Sequence, residues 1–241
     1  MLLGSVSTGT VLMAVMSYVE YAIKNSAGLA KLTVEHIDII ALAIGIAVPI
    51  GVTLGVLISF DDRAATVVIW LAGIMMTIPS IALFGLLIPL VGIGNPPVIV
   101  ALVLYSQLPI IRNTYVGLKQ VDPAAVEAGK GLGMNRRERL RRVQLPIALP
   151  VVMTGVRNAV VILIGIAAIG AFIGAGGLGE PIFTGISEAQ TSQIVVATVL
   201  LSGLALVVDY GLAVIEQLLR LRNGETLNQR LGTRLCKRVL S

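Results

Sequence analysis

Long runs of apolar residues are the feature that most constrains this chain. Five runs are long enough to cross a bilayer at about 20 residues per span, and a weaker sixth run precedes them. Only 13% of the residues are charged and 56% are hydrophobic, with a mean hydropathy of +0.93. Soluble domains carry about 25% charged residues, so the sequence excludes a water-soluble enzyme and predicts an all-α integral membrane protein. Six spans are predicted, at 5–23, 36–59, 65–91, 96–115, 147–173 and 192–219.

The first run, 5–23, is diluted by hydroxyl side chains and by Glu20. A cleaved signal peptide is the competing interpretation of this segment. No Lys or Arg precedes the run and nothing in it resembles a firm cleavage site, which favours a retained span or an interfacial helix.

Prolines lie inside several predicted spans, at Pro49, Pro79, Pro89 and Pro109. Proline lacks a backbone donor and tends to kink a helix, which membrane bundles tolerate where neighbours satisfy the released carbonyls. The pattern is compatible both with irregular packing and with broken helices around a translocation path.

Basic residues mark one side of the membrane in this chain of net charge +5. Because cytoplasmic loops are enriched in Lys and Arg, both termini, the loop 116–146 and the tail 220–241 are predicted to be cytoplasmic. Only Lys24 and Lys31 fall on the opposite side. The whole chain 1–241 is predicted to be one transmembrane domain. The residues counted as cytoplasmic are Arg63, Arg112, Lys119, Lys130, Arg136, Arg137, Arg139, Arg141, Arg142, Arg220, Arg222, Arg230, Arg234, Lys237 and Arg238.

The loop after the fourth predicted span contains a strong helix start. Asp122 is a favourable N-cap and Pro123 suits the first turn, so a short helix is predicted over 124–128. Leu145-Pro146 then reopens a helix that enters the membrane. A short helix beside a glycine turn suits docking into a partner's groove, although a solvated basic loop would obey the same charge rule. Three glycines are predicted to end the short helix: Gly129, Gly131 and Gly133.

The same loop resembles the EAA loop of permease subunits in binding-protein-dependent ABC importers. That family pattern is E-A-A, three residues, G, nine residues, I, any residue, L-P. Its spacing holds throughout, with Gly129 in place of the second Ala and Val143 in place of Ile. The resemblance implies a type I importer permease fold whose coupling helices dock on a cytoplasmic ATPase. The coupling-loop residues that it identifies are Asp122, Pro123, Glu127, Ala128, Gly129, Gly133, Leu145 and Pro146.

Two further stretches are similar to permeases that import quaternary-ammonium osmoprotectants. They are VEHIDIIALAIGIAVPIGVTLGV from residue 34 and AAIGAFIGAGGLGEPIFTGI over 167–186, and the resemblance extends over 34–190. It implies glycine betaine, choline, carnitine or proline betaine as substrate, moved by alternating access. Permeases of methionine importers are similar across the glycine-rich segment, so a methionine-type or other small amino-acid importer remains the alternative.

The resemblance also implies an assembly. Its parts are a cytoplasmic ABC ATPase dimer, a second permease chain that is identical or homologous, and a periplasmic or extracellular substrate-binding protein. It places the complex in the bacterial cytoplasmic membrane, as a multi-pass protein in contact with lipid and without nucleic acid. ATP and Mg²⁺ would be bound by the ATPase, because this chain has no G-x-x-x-x-G-K-[ST] motif.

Other classes are disfavoured by what the sequence lacks. An ATP-independent secondary transporter is argued against by the coupling-loop pattern, and no internal repeat is visible. An intramembrane enzyme is argued against because neither His-Glu-x-x-His nor Gly-x-Ser-x-Gly occurs. A lone His36 and a lone Cys236 predict no metal site, and no cofactor is predicted for this chain.

The segment 174–179 formally fits the dinucleotide pattern G-x-G-x-x-G. It follows an apolar span rather than a strand, so a glycine-rich turn on the periplasmic side is predicted instead. Glycine there lets helix backbones approach closely. The glycines of this turn are Gly174, Gly176, Gly177 and Gly179.

Ionisable residues inside spans are costly and therefore informative. Arg157 and Asp209 each lie about ten residues from the cytoplasmic end of their span, which at 1.5 Å per residue is about 15 Å of depth. We expect the two to pair, the alternative being that each separately snorkels or lines a wet cavity. Glu35, His36 and Asp38 begin the second predicted span, where interfacial anchoring is the simpler interpretation and attraction of a cationic substrate the other.

Overall fold

The computed structural model describes residues 8–224, and within that range every regular element is a helix. Predictions on residues 5–7 and on the tail from 225, including Arg230, Arg234, Cys236, Lys237 and Arg238, lie outside the described residues. The α-helices are α1 Thr8–Lys24, α2 Ser26–Ile58, α3 Asp62–Thr77, α4 Ser80–Val91, α5 Asn95–Lys119, α6 Pro123–Gly131, α7 Arg136–Arg139, α8 Leu145–Ile169, α9 Gly179–Ser187 and α10 Thr191–Arg222.

Four described helical stretches are long and apolar enough to cross a membrane: Ser26–Ile58, Asn95–Lys119, Arg136–Ile173 and Thr191–Arg222. A fifth crossing is possible if α3 and α4 together form one broken span. The helix α1 has 17 residues and is not among them. The number of spans among the described residues is thus four or five, against the six predicted over the whole chain. The all-α membrane class agrees with the prediction.

The predicted span 65–91 is wrong as a single helix. Helix α3 ends at Thr77, and α4 begins only at Ser80. Proline disfavours the helical conformation of the residue before it, and Ile78 is accordingly extended, with φ −73° and ψ 126°. The Tyr105 hydroxyl donates to the Ile78 carbonyl at 2.7 Å, which satisfies an acceptor released by the break. Pro49, Pro89 and Pro109, by contrast, lie inside continuous helices.

Two compact units are interleaved along the chain. The first comprises Met1–Leu42, Ser80–Ala101 and Ile164–Ala205, of which the structure describes the residues from Thr8. The second comprises Ala43–Pro79, Leu102–Leu163 and Leu206–Ser241, described as far as Gly224. The helices α2, α5, α8 and α10 contribute residues to both. That the chain 1–241 acts as one permease domain stays a prediction.

Glycines bring the helices of the second unit close together. A Cβ at Gly55 would lie 2.5 Å from the Cβ of Thr114. A Cβ at Gly155 would lie 2.6 Å from the Pro109 carbonyl oxygen. Small residues at such crossings let backbones approach in membrane bundles, where packing rather than the hydrophobic effect drives association. The α2–α5 and α5–α8 crossings therefore depend on these two glycines.

Candidate functional site

The short helix of the coupling loop 116–146 begins as predicted. The Asp122 carboxylate accepts from the Ala124 amide at 2.8 Å, which caps α6, and Pro123 occupies its first position. Its end differs from the prediction, because Gly129 and Gly131 lie within the helix. Gly133 alone has a left-handed backbone, with φ +75°.

A Schellman motif ends α6. The Met134 amide donates to the Gly129 carbonyl at 3.1 Å, and the Gly133 amide donates to the Lys130 carbonyl at 2.9 Å. This pair of hydrogen bonds requires a left-handed backbone at Gly133, which glycine adopts at little cost. Gly133 thus sets the direction in which the chain leaves the coupling helix.

The basic run that follows is also helical. Asn135 and Glu138 form a reciprocal capping box, with both amide contacts at 3.0 Å, and α7 starts at Arg136. A π-helical turn over Leu140–Gln144 then joins α7 to α8, and such turns are frequent at functional positions. Helix α8 begins at Leu145, where the sequence predicted a helix that enters the membrane. The helical run from Arg136 that leads into it was not predicted.

An apolar core supports the coupling loop from beneath. Leu118, Val121 and Ala148 are buried together, and Val126 of α6 packs against them. Gly129 is buried as well, and a Cβ there would lie 3.3 Å from Cγ of Arg139. Close contact with that arginine stem accounts for glycine where the family pattern has a second alanine.

The outer surface of α6 is open to a partner. Glu127 and Lys130 form an ion pair of 2.6 Å on this surface. Leu132 follows them with 77% of its surface exposed, and Ala128 is exposed beside them. A short helix that presents a large apolar side chain next to paired charges has the chemistry of a docking surface.

Two residues near the start of α3, Phe60 and Asp62, contact side chains in and next to the coupling loop, and sequence reasoning missed these contacts. The Lys119 ammonium lies 2.6 Å from the Asp62 carboxylate, which also accepts from the Tyr115 hydroxyl at 3.0 Å. Further along, the Arg136 guanidinium lies 4.1 Å from the centre of the Phe60 ring. No spacing rule connects residues so far apart in the chain.

Arg157 and Asp209 are brought together, as expected from their matching depth. The guanidinium makes two parallel contacts with the carboxylate, Nε to Oδ1 at 2.6 Å and Nη2 to Oδ2 at 2.8 Å. Sequence reasoning missed Glu216, whose carboxylate lies 3.4 Å from Nη1 of Arg157 and 3.1 Å from Nη2 of Arg220. These four residues are called the charge cluster below. Glu216 follows Asp209 by seven residues and so lies on the same helix face, a signal that the sequence contained.

Arg112 was counted with the cytoplasmic basic residues and falls within the predicted span 96–115. It lies inside α5, which continues to Lys119, and its side chain is exposed. Seven residues before the helix end, it is about 10 Å from that end.

The glycine-rich turn Gly174–Gly179 packs against Glu35 and His36, in the N-terminal third of α2, within the first unit. Gly174 and Gly177 have left-handed backbones, with φ +79° and +97°. A Cβ at Gly176 would lie 2.7 Å from Glu35 Oε2. The Gly176 amide also donates to the Asn95 side chain at 3.3 Å. Close backbone approach is therefore what these glycines permit, and the helix α9 that follows was not predicted.

His36 lies beneath this turn. It is fully buried and not an interfacial anchor, because α2 begins ten residues earlier, at Ser26. Its Nε2 lies 3.1 Å from the Ile164 carbonyl oxygen, which can only accept, so Nε2 carries the proton. A Cβ at Gly177 would lie 2.7 Å from the other ring nitrogen, Nδ1. Among the described residues no group of three or more His, Cys, Asp or Glu side chains is arranged to hold a metal ion.

Comparison with known proteins identifies the family. Residues 47–221 match the family described as "Binding-protein-dependent transport system inner membrane component". The chain belongs to this family. The match includes the coupling loop, the charge cluster and the glycine-rich turn, whereas α1 and His36 precede it.

Two relatives of this inner membrane component have names that state the compounds they transport. It is 46% identical over 200 residues to the "Osmoprotectant import permease protein OsmW" of Salmonella typhimurium, and the aligned region covers 81% of this chain and 93% of that one. It is 43% identical to the "Choline transport system permease protein OpuBB" of Bacillus subtilis, over 83% of this chain and 92% of that one. The resemblance to osmoprotectant permeases that the sequence indicated is thereby confirmed.

Solved structures bear on the fold of this inner membrane component. It is similar to an inward-facing structure of the MetNI methionine ABC transporter, with a TM-score of 0.70 and 23% identity, over 79% of this chain and 95% of that one. The predicted importer permease fold is confirmed by this likeness. As a family member, the chain is a multi-pass inner membrane protein of a transport system that depends on a binding protein.

Alanine at Gly179 is expected to destabilise the protein by about 1–3 kcal/mol, in the range of overpacked sites. A Cβ there would collide with the backbone carbonyl of Ala168, which cannot move aside as a side chain does. Thermal unfolding of the purified protein measures the effect. Gly165→Ala is the matched control, because Gly165 lies in α8 with nothing within 4 Å of its Cβ position. Equal melting of the two variants would contradict the close approach.

Proposed function

We propose that this chain is the permease subunit of an ATP-driven ABC importer that moves quaternary-ammonium osmoprotectants across the bacterial cytoplasmic membrane by alternating access. The substrate class is glycine betaine, choline, carnitine or proline betaine. The observation that carries the proposal is identity of 42–46% over four fifths of the chain to proteins named as osmoprotectant, choline and glycine betaine/carnitine/choline permeases. Transporter subunits of this kind are not enzymes.

The surface of α6 supports the proposed coupling to ATP hydrolysis. The ion pair Glu127–Lys130 and the exposed Leu132 form the outer surface. On the inner side of α6, Val126 packs against a buried core that includes Ala148 of α8. Movement of α6 is therefore transmitted to α8 through this core. We propose that an ABC ATPase dimer docks here and binds the ATP and Mg²⁺. This chain supplies no cofactor or metal in the proposal.

Two further partners complete the proposed importer. A second permease chain, identical or homologous, forms the other half of the path, and a periplasmic or extracellular binding protein delivers the substrate. Membrane lipid surrounds the pair, and nucleic acid has no part in it. The family description, which makes the transport system dependent on a binding protein, supports the last of these partners.

A methionine-type importer is the second candidate. Its support is the likeness to the MetNI structure, which at 23% identity concerns the fold alone. An ATP-independent secondary transporter has less support, because such a transporter has no ATPase on which the capped helix α6 would dock.

Co-purification tests the proposal directly. The tagged chain, extracted from its native membrane in mild detergent, is expected to bring a stoichiometric ABC ATPase and, with gentle handling, a binding protein. Mass spectrometry identifies the partners, and calorimetry of the binding protein with glycine betaine, choline, carnitine and methionine identifies the ligand. Recovery of the chain without an ATPase, reproducibly, would favour the ATP-independent class. A binding protein that takes methionine only would favour the second candidate.

A further inference from the structure

An open pocket of about 590 Å³ lies within the second unit. Helices α3, α5, α8 and α10 contribute to its lining. The volume falls in the range of small-molecule sites, about 300–1,000 Å³. The wall includes both apolar and polar side chains, among them Met76, Val161, Arg112, Asn113, Asn158 and Asp209.

Arg112 is the unexplained member of this wall. It lies in a helix apolar enough to cross a membrane, and its side chain makes no hydrogen bond or ion pair with any residue between 8 and 224 that the structure describes. A guanidinium inside a span costs several kcal/mol unless it faces water or an anionic partner. On the wall of an open pocket, its guanidinium is accessible to a carboxylate or a similar anion.

Asp209 does not neutralise Arg112, because its carboxylate is already held bidentately by Arg157. The charge cluster contains two carboxylates and two guanidinium groups, so its formal charges balance. Among the residues 8–224 that the structure describes, the formal charge that remains on the pocket wall is therefore the positive charge of Arg112. A site of this charge favours a ligand that carries a negative group over one that carries only a positive group.

The rest of the wall suits the other end of a small zwitterion. Met76 and Val161 offer apolar surface for methyl groups, and the amides of Asn113 and Asn158 offer neutral hydrogen-bonding groups. Asp209 also lines the pocket and keeps 32% of its side chain exposed, with its charge compensated by Arg157. Apolar surface beside a few convergent polar groups is the usual composition of a small-molecule site.

We propose that this pocket is a substrate site inside the permease, and that Arg112 binds the carboxylate of a trimethylammonium zwitterion. The inference rests on the proposed function. It adds that the permease itself distinguishes the carboxylate-bearing substrates, the betaines and carnitine, from choline, which has a hydroxyl in place of the carboxylate.

The test uses the whole importer, with its ATPase and binding protein, in proteoliposomes. Uptake of labelled glycine betaine and of labelled choline is measured for wild type, Arg112→Gln and Arg112→Lys. Each variant is compared with wild type for the same substrate, so the preference of the binding protein cancels. Lys24→Gln, which removes a positive charge from the end of α1, is the control.

Arg112→Gln is expected to lower uptake of glycine betaine about tenfold or more, since hydrogen bonds between charged groups contribute about 1.5–3 kcal/mol. Choline uptake is expected to change by less than about twofold, because choline has no carboxylate to lose. Arg112→Lys is expected to restore part of the glycine betaine rate, as a point charge without the forked geometry. Direct binding of labelled glycine betaine to the permease–ATPase complex, without binding protein, is expected to weaken in parallel.

Several results would overturn the inference while the proposed function stands. They are unchanged glycine betaine uptake in Arg112→Gln, an equal loss for both substrates in a fully assembled complex, and a wild-type importer that moves choline but no zwitterion. If Arg112→Gln fails to assemble, the KM of Arg112→Lys decides, since an unchanged KM for glycine betaine contradicts a carboxylate contact. A wild-type importer that moves no quaternary ammonium compound would instead overturn the proposed function.

Discussion

Replacing Arg157 with alanine is expected to remove most of the folded permease from the membrane. The change leaves the Asp209 carboxylate without its bidentate partner and takes one guanidinium from Glu216, whose side chain is only 12% exposed. Removing one partner of a fully buried ion pair costs about 3–5 kcal/mol. With Arg157 21% and Asp209 32% exposed, we expect a loss at the lower end of that range. A loss of this size is a large part of the stability of a typical domain. Membrane levels and thermal unfolding in detergent measure it.

The matched comparison replaces both partners of the same pair. Arg157→Leu with Asp209→Leu is expected to be less damaging than Arg157→Leu alone, because no lone charge remains and Glu216 keeps Arg220 at 3.1 Å. Asp209→Ala is expected to resemble Arg157→Ala, since it leaves the guanidinium with the weaker 3.4 Å contact. Wild-type levels of both single alanine variants would contradict a stabilising role for the pair.

The charge cluster shows which properties of buried charged residues can be predicted from the sequence and which cannot. The depth of Arg157 and Asp209 follows from counting residues, because a helix rises by a fixed amount per residue. Glu216 was within reach of the same reasoning, since a spacing of seven residues keeps it on the face of Asp209. The distances of 2.6 and 2.8 Å between Arg157 and Asp209 could not be predicted from the sequence, because they depend on how closely α8 approaches α10.

Other differences come from competing local effects. Pro49, Pro79, Pro89 and Pro109 looked equivalent in the predicted spans. Of these four, only Pro79 separates two helices, and there the Tyr105 hydroxyl donates to the Ile78 carbonyl. Three glycines looked equivalent at the end of α6, yet only Gly133 has the left-handed backbone that ends it. In both cases the sequence identifies a residue type that permits a break, and tertiary contacts select the position.

Burial was the least predictable property. The polar sequence around His36 suggested an anchor at the interface, but the imidazole is fully buried against the Ile164 carbonyl, which is distant in the chain. Arg112 was counted with the cytoplasmic basic residues near the end of the predicted span 96–115, and its exposure on a pocket wall of α5, which continues to Lys119, did not follow from that count. Charge patterns predict the side of the membrane on which a loop lies, and they do not predict which helix face a side chain occupies.

Valine at Gly133 is expected to uncouple transport while the permease still inserts into the membrane. A β-branched residue at φ +75° is strained by about 1–2 kcal/mol or more. The Schellman motif is therefore expected to open, and the chain then leaves α6 in a different direction. Uptake by the complete importer is expected to fall at least about tenfold, which corresponds to about 1.4 kcal/mol. Glu127→Lys is expected to act in the same direction, because it breaks the ion pair with Lys130 on the proposed docking surface.

Gly131→Val separates coupling from a general effect of bulk. Gly131 lies two residues away in the same loop, inside α6, without a left-handed backbone and with nothing within 4 Å of its Cβ position. It is therefore expected to keep near-normal uptake and to co-purify with the ATPase, whereas Gly133→Val is expected to lose the ATPase at unchanged membrane levels. If both valine variants transport equally, the direction of the chain after α6 has no part in coupling. The loop would then be a solvated basic segment, placed on its side of the membrane by charge alone.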